Sequence, residues 1–143
     1  AGKAPLFEAY ALQLEHKHLP EIVAYTGLTR RPIFVPSVGN FKQGMLVQVP
    51  LHLDALPKKP KAFDLHDALL KHYAKSPQGF VKVLPATDNG KLDATALNGT
   101  NDLEIRVFGN ETHRHAVLIA RLDNLGKGAS GAAVQNLRLM LGV

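Results

Sequence analysis

Hydrophobic and polar positions alternate along several stretches of the chain, and this pattern predicts short β-strands. The clearest runs over residues 44–53, where every second position is apolar: Met45, Val47, Val49, Leu51 and Leu53. Pro50 lies inside this stretch and has no N–H to give to a neighbouring strand, so it indicates an edge strand or a bulge.

Further strands are predicted by shorter apolar runs. Residues 103–107 alternate, residues 109–112 form a turn, and residues 115–122 return as a strand, which together predict a hairpin. Residues 33–35, between Pro32 and Pro36, and residues 80–84 predict two more strands. The opening stretch, residues 6–14, is compatible with a helix or a strand, residues 37–43 with a loop, and residues 86–101 are rich in turn formers.

Three helices are predicted between these strands. Residues 19–27 fit a short helix, because Pro20 suits the first turn, Glu21 suits the positive end of the helix dipole and Gly27 suits the end. A second helix begins with Asp64 as its cap, with Asp67 three residues later, and runs to about residue 74. A third covers residues 128–141.

This order of elements predicts an α+β fold, with one mostly antiparallel or mixed sheet and helices on one face. A chain of 143 residues has the size of one domain, so we expect residues 1–143 to form a single domain. The second face of such a sheet needs a cover, and a second copy of the chain is one way to supply it. The sequence therefore predicts a homo-oligomer assembled through the sheet.

Composition narrows the classes of function. The chain has no Cys, which excludes disulfides, thiolate zinc sites and a thiol nucleophile within these 143 residues, and fits a reducing, cytoplasmic compartment. No apolar run is long enough to cross a bilayer, so no membrane partner is expected. The start, Ala1-Gly2-Lys3, has no signal-peptide pattern and is expected to be a fragment boundary.

The net charge of +5 suits an anionic partner, but a Lys-rich solvated surface has the same charge. Lys58, Lys59 and Lys61 form a stiff basic connector with Pro57 and Pro60. A nucleic-acid-binding module is an alternative, although no aromatic platform for stacking bases accompanies these lysines. A solvated connector is the favoured interpretation, and no nucleic-acid partner is expected.

The pair His16-Lys17-His18 is the sharpest candidate for chemistry. Residues two apart in an extended segment face the same side, so both imidazoles can point into one cleft. His18 directly precedes the helix at residue 19, and the partial positive charge of a helix N-terminus disfavours the protonated ring. A neutral imidazole is what a general base requires. Two exposed histidines beside a helix start remain the plain alternative.

A second pair, His113-Arg114-His115, lies at the predicted hairpin turn. Two such pairs suggest a metal site, but nothing in the sequence brings them together, and no metal is predicted. Residues 123–136 are another candidate, since a Gly-rich turn there joins a strand to a helix that begins with small residues. Backbone N–H groups and Lys127 could hold an anion or a carboxamide. A tight turn with close helix packing is equally compatible with this spacing.

Taken together, these segments resemble one family. The stretch His16-Lys17-His18-Leu19-Pro20-Glu21-Ile22 is similar to the His-Arg-His-x-Pro-Glu-Ile motif of N-acetyl-gamma-glutamyl-phosphate reductases. Residues 34–46 resemble the family's Phe-x-Pro…Arg-Gly-Ile/Met-Leu segment, and residues 99–101 its Gly-Ser/Thr-Asn element. Residues 123–136 resemble its Asp-Asn-Leu-x-Lys-Gly-Ala-x-Gly-x-Ala-Val-Gln-Asn signature, the most specific of the four. The resemblance covers essentially the whole chain.

The resemblance implies a fold like the C-terminal domain of glyceraldehyde-phosphate dehydrogenase and aspartate-semialdehyde dehydrogenase. It implies reduction of N-acetyl-glutamyl phosphate to the semialdehyde with NADP(H), bound mainly by an N-terminal domain that this chain lacks. In that chemistry a Cys thiolate displaces phosphate, hydride reduces the thioester, and the hemithioacetal collapses. A homo-oligomer in the cytoplasm is implied as well.

Roles for individual residues follow from the same resemblance. His18 is implied as the acid/base, and His16 and Glu21 are implied as substrate-binding residues that place or polarise it. His16 remains an alternative for the base. Asn124, Lys127 and Gly128 are implied as cofactor-binding residues.

Two departures from the family pattern affect these expectations. Gln43 stands where many relatives have Arg, so Lys42 is the expected contact for the substrate anion. The catalytic Cys and the cofactor fingerprint are absent from this chain. We therefore expect the chain alone to be inactive. Reductases for N-acetyl-aminoadipyl phosphate share these motifs and are an alternative for the substrate.

Overall fold

The computed structural model describes residues 5–75 and 79–143. The chain divides into two compact units, Ala1–Lys42 and Gln43–Val143, and each is described by itself. Among the described residues, no helix is both long enough and apolar enough to cross a membrane.

The first unit contains a two-stranded antiparallel sheet and one helix. Strand β1 (Phe7–Ala9) pairs with β2 (Ser37–Gly39), so the opening segment, compatible with helix or strand, contains a strand. Helix α1 (Leu19–Thr26) has Pro20 in its first turn and ends where Gly27 adopts a left-handed conformation, with φ 67°. The predicted helix at residues 19–27 is confirmed.

The strand predicted at residues 33–35 was wrong. Those residues pair with no strand, and β2 begins four residues later, inside the predicted loop. Pro32 and Pro36 have no N–H to donate, and the ladder to β1 begins only after the Pro36 carbonyl accepts a hydrogen bond from Tyr10 N–H at 3.0 Å. The apolar pattern here was therefore a poor guide to pairing.

The second unit is built on a four-stranded mixed sheet. Its strands are β3 (Met45–His52), β4 (Val81–Leu84), β5 (Leu103–Asn110) and β6 (His115–Leu122), in the order β3-β6-β5-β4. The β3–β6 and β5–β6 pairs are antiparallel and the β4–β5 pair is parallel. The predicted hairpin and the predicted α+β class are confirmed. Pro50 lies on the edge strand β3, as its missing N–H indicated.

Helix α2 (Ala62–Tyr73) packs against β4 and β5 on one face of the sheet. The core beneath it is formed by Leu53, Val107 and Ala116, with Leu56, Ala62, Leu65, Leu69 and Leu118 packed around them. Gly109 lies so close to α2 that an added Cβ would overlap the methyl group of Ala62. On the opposite face, Arg106 donates to the Pro85 carbonyl and Arg121 to the Asp93 carbonyl, which ties down the turn-rich segment.

The predicted cap of α2 was misplaced. Lys61 occupies the N-cap position, and Asp64 lies inside the first turn, where its Oδ2 accepts the Lys61 backbone N–H at 2.8 Å. Asp64 therefore stabilises the helix start from the third helical position, as acidic residues there often do.

The C-terminal helix also begins later than predicted. A π-helical turn covers Gly126–Ser130, and helix α3 runs from Gly131 to Leu141. Hydrogen bonds from Gly128 N–H to the Asp123 carbonyl and from Ser130 N–H to the Leu125 carbonyl define this wider turn. The helix predicted from residue 128 is thus preceded by a distinct element, which contains part of the candidate site.

Candidate functional site

The first unit places the two imidazoles of the His16-X-His18 pair side by side. Their ring centroids are 4.7 Å apart, in an edge-to-face arrangement. His16 also packs beside Phe34 at 5.1 Å and Tyr10 at 5.8 Å. Leu19, the first residue of α1, is buried with 2% exposure. The two rings therefore form a supported pair at the N-terminus of α1.

The hydrogen bonds distinguish the two histidines. The backbone N–H of His18 donates to His16 Nδ1 at 3.2 Å, so this nitrogen carries no proton and the neutral His16 ring carries its proton on Nε2. Among the described residues, the His18 imidazole and the Glu21 carboxylate have no hydrogen-bond partner. Both nitrogens of His18 therefore stay open to a ligand, whereas His16 is engaged in orienting its neighbour.

The second unit holds a buried carboxylate at the end of β6. Asp123 is 1% exposed. Its Oδ2 accepts hydrogen bonds from Gln43 Nε2 at 2.6 Å and Gly99 N–H at 2.7 Å, and its Oδ1 accepts from the N–H groups of Leu125 at 2.9 Å and Gly126 at 3.0 Å. Donation from Gly99, Gly126, Leu125 and Gln43 holds the pKa of the Asp123 carboxyl below its ordinary value, against the opposing effect of burial. We call these four donors and the carboxylate the Asp123 cradle.

The neighbouring residue, Asn124, has a fixed carboxamide orientation. Its Oδ1 accepts the backbone N–H of Gly44 at 2.8 Å, and because a backbone N–H can only donate, the oxygen must lie on that side. Its Nδ2 makes no hydrogen bond to any described residue and is accessible to solvent. Asn124 therefore offers an NH₂ donor, which suits a carbonyl oxygen on a ligand.

Lys127 is already engaged within the unit. Its Nζ donates to Gln135 Oε1 at 2.6 Å and lies 5.3 Å from the centroid of the Phe80 ring. Asn101 Nδ2 donates to the same Gln135 oxygen at 3.1 Å. Lys127 thus contacts α3 through Gln135 and has further donor capacity.

Two grooves meet beside this turn. One, of about 360 Å³, is lined by Gln43, Gly99, Asp123, Gly126 and others, and the second, of about 540 Å³, by Phe80, Val134, Gln135 and Arg138. Both include Asn101, Ser130 and Gly131. Glycine is required at Gly131, since an added Cβ would overlap Asn101 Oδ1 and lie 2.8 Å from the Gly126 carbonyl oxygen. The grooves are therefore shaped by small residues at the start of α3.

The predicted site residues divide between the two units. His16, His18, Glu21 and Lys42 belong to the first, and Asn124, Lys127 and Gly128 belong to the second. Lys42 is exposed and makes no hydrogen bond or ion pair with any described residue. In the first unit His16 and His18 lie side by side, whereas Glu21 and Lys42 make no hydrogen bond to either of them. In the second unit Asn124 directly follows Asp123, and Gly128 donates its N–H to the Asp123 carbonyl.

Sequence reasoning missed Gln43 and Asp123 as site residues. Asp123 had a recognisable signal, because an Asp at a strand end followed by Asn-Leu-Gly is typical of a turn in which the side chain accepts the next backbone N–H groups. Gln43 was noted only as a departure from the Arg of many relatives, and its contact to Asp123 had no signal because it spans 80 positions of the sequence.

The second His-X-His pair lies at the β5–β6 turn. His115 faces His52 across the β3–β6 ladder, with ring centroids 4.9 Å apart, and His113 is 6.1 Å from His115. Within the described parts of the chain, no group of three or more His, Cys, Asp or Glu residues is arranged to hold a metal ion.

Comparison with known proteins gives a consistent result. The family described as "Semialdehyde dehydrogenase, dimerisation domain" matches residues 3–124. The chain is 50% identical over 143 residues to "N-acetyl-gamma-glutamyl-phosphate reductase 2" of Nostoc sp., and 52% identical over 136 residues to "N-acetyl-gamma-glutamyl-phosphate reductase" of Brucella ovis. These alignments cover 96% and 93% of this chain, but 44% and 43% of the relatives. The chain thus spans less than half the length of these relatives.

Proposed function

The chain belongs to the family of semialdehyde dehydrogenase dimerisation domains, and from this premise we propose that it is the catalytic and dimerisation part of an N-acetyl-gamma-glutamyl-phosphate reductase. The observation that carries the proposal is the sequence identity of 50% and 52% to proteins of that name over nearly the whole chain. The proposed reaction converts N-acetyl-glutamyl phosphate to N-acetyl-glutamate semialdehyde and phosphate, with NADPH as reductant. A cytoplasmic location belongs to the same proposal, since it rests on the biosynthetic role that those names indicate.

His18 is the proposed acid/base. Its imidazole is exposed and without a protein partner among the described residues, while the His16 ring beside it supports its position. In the proposed reaction His18 accepts the proton of the attacking thiol, which must come from outside these 143 residues because they contain no Cys. It later returns a proton to the oxygen of the reduced intermediate. Glu21 is the acidic residue in the first turn of α1 and is proposed as a substrate-binding residue.

Asn124 is the proposed contact for the nicotinamide carboxamide of NADP. The fit rests on its fixed orientation, because the NH₂ group that Gly44 leaves free is the donor that a carboxamide oxygen requires. Gly128 contributes a turn without a side chain, and Lys127 contributes a positive charge beside it. The cofactor, when bound, supplies the hydride, and most of its binding is assigned to a separate domain.

The substrate assignment has one close alternative. A reductase for N-acetyl-aminoadipyl phosphate would need the same acid/base and the same cofactor contacts, but the relatives described above are named for the glutamyl compound.

No feature of the described structure favours a nucleic-acid-binding module, and Arg114 donates to the Lys59 and Pro60 carbonyls, which ties the basic connector to the hairpin turn. Lys42 is kept as the proposed contact for the substrate anion.

A homodimer or higher oligomer is proposed through the face of the sheet opposite α2. The register places Leu46, Phe108, Val117 and Ile119 on that face, and all four are partly exposed. The family's description as a dimerisation domain supports this assignment. Sedimentation of a monomer at high concentration would contradict it.

The function is tested with the full-length protein that contains this chain. We expect phosphate-dependent oxidation of N-acetyl-glutamate semialdehyde with NADP, and NADPH oxidation with the glutamyl acyl phosphate. Faster turnover with the aminoadipyl compound would reassign the substrate. The 143-residue chain alone should show no activity above a blank without protein, because the thiol is missing.

A further inference from the structure

Gln43 contacts the Asp123 cradle from a distant part of the sequence. Its Nε2 donates to Asp123 Oδ2 at 2.6 Å, and its backbone carbonyl accepts from Asn98 Nδ2 at 3.0 Å. The next residue, Gly44, donates its N–H to Asn124 Oδ1 at 2.8 Å. Two consecutive residues, Gln43 and Gly44, therefore hold two other consecutive residues, Asp123 and Asn124.

The cradle contains no cation. Its four donors are three backbone N–H groups and the neutral carboxamide of Gln43, and no ion pair to Asp123 occurs within the described residues. Hydrogen bonds to a buried carboxylate are among the stronger ones in proteins. Substitution of Gln43 can therefore remove one donor of the cradle and leave its three backbone donors unchanged.

The backbone at Gly44 requires glycine. Its φ is 117°, a conformation that favours glycine, and an added Cβ would lie 2.5 Å from the Ala94 carbonyl oxygen. The Gly44 N–H lies in the same peptide plane as the Gln43 carbonyl, so its direction depends on how Gln43 is anchored. A lost anchor at Gln43 would loosen the Gly44 N–H and free the Asn124 carboxamide to rotate.

We propose that Gln43 is a positioning residue, which through Asp123 and Gly44 keeps the NH₂ of Asn124 presented to a carbonyl oxygen of the bound ligand. The inference rests on the proposed function, in which that oxygen belongs to the nicotinamide carboxamide. It assigns Gln43 to selection of the ligand's acceptor atom and not to contact with the substrate anion.

The test measures binding of two cofactors to the full-length enzyme by calorimetry. NADP offers a carbonyl oxygen and its thionicotinamide analogue offers sulfur, a weaker acceptor. Gln43→Met keeps the length of the side chain and removes the donor. We expect it to raise the Kd for NADP roughly three- to tenfold, the range for loss of one well-placed hydrogen bond. The preference for NADP over the analogue should shrink, and Gln43→Arg, which restores a donor, should restore it.

A second readout needs no cofactor. Hydrogen exchange of the Gly44 amide, measured by NMR on this chain, should be faster in Gln43→Met than in the wild type. Gln13→Met is the matched control, because Gln13 is exposed and makes no hydrogen bond to a described residue, and it should change neither readout.

The outcomes separate the two proposals. A wild-type enzyme that does not bind NADP refutes the proposed function, and the Gly44 exchange rate still decides whether Gln43 anchors the cradle. If Gln43→Met leaves the cofactor preference and the exchange rate unchanged, the positioning role is wrong. Equal weakening of both cofactors together with a lower Tm would show a packing role only and would overturn the inference.

Discussion

Gly126 and Gly128 lie two residues apart in one π-helical turn, and the structure predicts opposite effects when each is replaced by Ala. A Cβ at Gly126 would lie 2.9 Å from the Thr100 carbonyl oxygen and 3.2 Å from the Asp123 carboxyl group. At Gly128 the nearest atoms are 3.4 Å away, which is ordinary van der Waals contact. Neither glycine has a positive φ, so both backbones accept Ala without strain.

The magnitude follows from two opposing contributions. Replacing Gly by Ala at a compatible position stabilises a protein by about 0.4–1 kcal/mol, because the unfolded chain loses conformational freedom. Forcing extra atoms into a packed site costs about 1–3 kcal/mol. Gly126→Ala carries both contributions and should lower the free energy of unfolding by about 1–2 kcal/mol. Gly128→Ala carries only the first and should raise it by about 0.4–1 kcal/mol.

The assay is urea denaturation of each variant followed by circular dichroism, with the thermal midpoint as a second measure. At roughly 3 °C per kcal/mol for a chain of this size, Gly126→Ala should lower the Tm by about 3–6 °C and Gly128→Ala should raise it by about 1–3 °C. Equal shifts in the two variants would refute the close approach of the turn to Thr100 and Asp123.

Three further predictions concern catalysis, pH and the core. In the full-length enzyme, His18→Asn should lower turnover about 10²–10⁴-fold, the range for general acid/base catalysis, and leave the Tm unchanged. His113→Asn should have almost no effect on turnover in the same steady-state assay. Equal losses of turnover in both variants would contradict the role assigned to His18. Because its pKa is lowered, the Asp123 carboxylate stabilises the folded state at pH values above the ordinary carboxyl pKa of 3.8. This stability is lost as the pH falls through the lower pKa of the folded state. Asp123→Asn should therefore flatten the acid side of a plot of urea midpoint against pH. Leu53 is 0% exposed, and Leu53→Ala should lower the free energy of unfolding by about 2–5 kcal/mol. Leu70 is 43% exposed, and Leu70→Ala should lower it far less in the same urea titration.

The sequence predicted the fold best where one local signal was sufficient. The alternation in residues 45–52 and Pro50 gave the edge strand, and Pro20 with Gly27 bounded α1. Prediction failed where the outcome depended on a distant partner. Residues 33–35 were as apolar as a strand requires, yet the strand lies at Ser37–Gly39, because pairing depends on hydrogen bonds to β1 that no local pattern records.

The candidate site shows the same limit. The His16-X-His18 pair and the Asp123–Asn124 turn are short motifs, so their residues could be found by inspection. That Asn124 is oriented by Gly44, and Asp123 by Gln43, could not be found in this way, because each contact joins residues 80 positions apart. The assignment of Asp64 as a cap failed more narrowly, since the same carboxylate stabilises a helix start from either of two positions.

The strand order β3-β6-β5-β4 also constrains how this unit folds. The β5–β6 hairpin is local and can form within microseconds, whereas every register pair of β3 joins a residue before position 53 to one after position 114. During synthesis at about 5–20 residues per second, β3 therefore leaves the ribosome several seconds before its only partner strand in the described sheet exists. Pro50 interrupts the row of N–H donors on this waiting strand, which reduces its capacity to pair with another nascent chain. Slow acquisition of β3, after a fast hairpin phase, is the expected folding order.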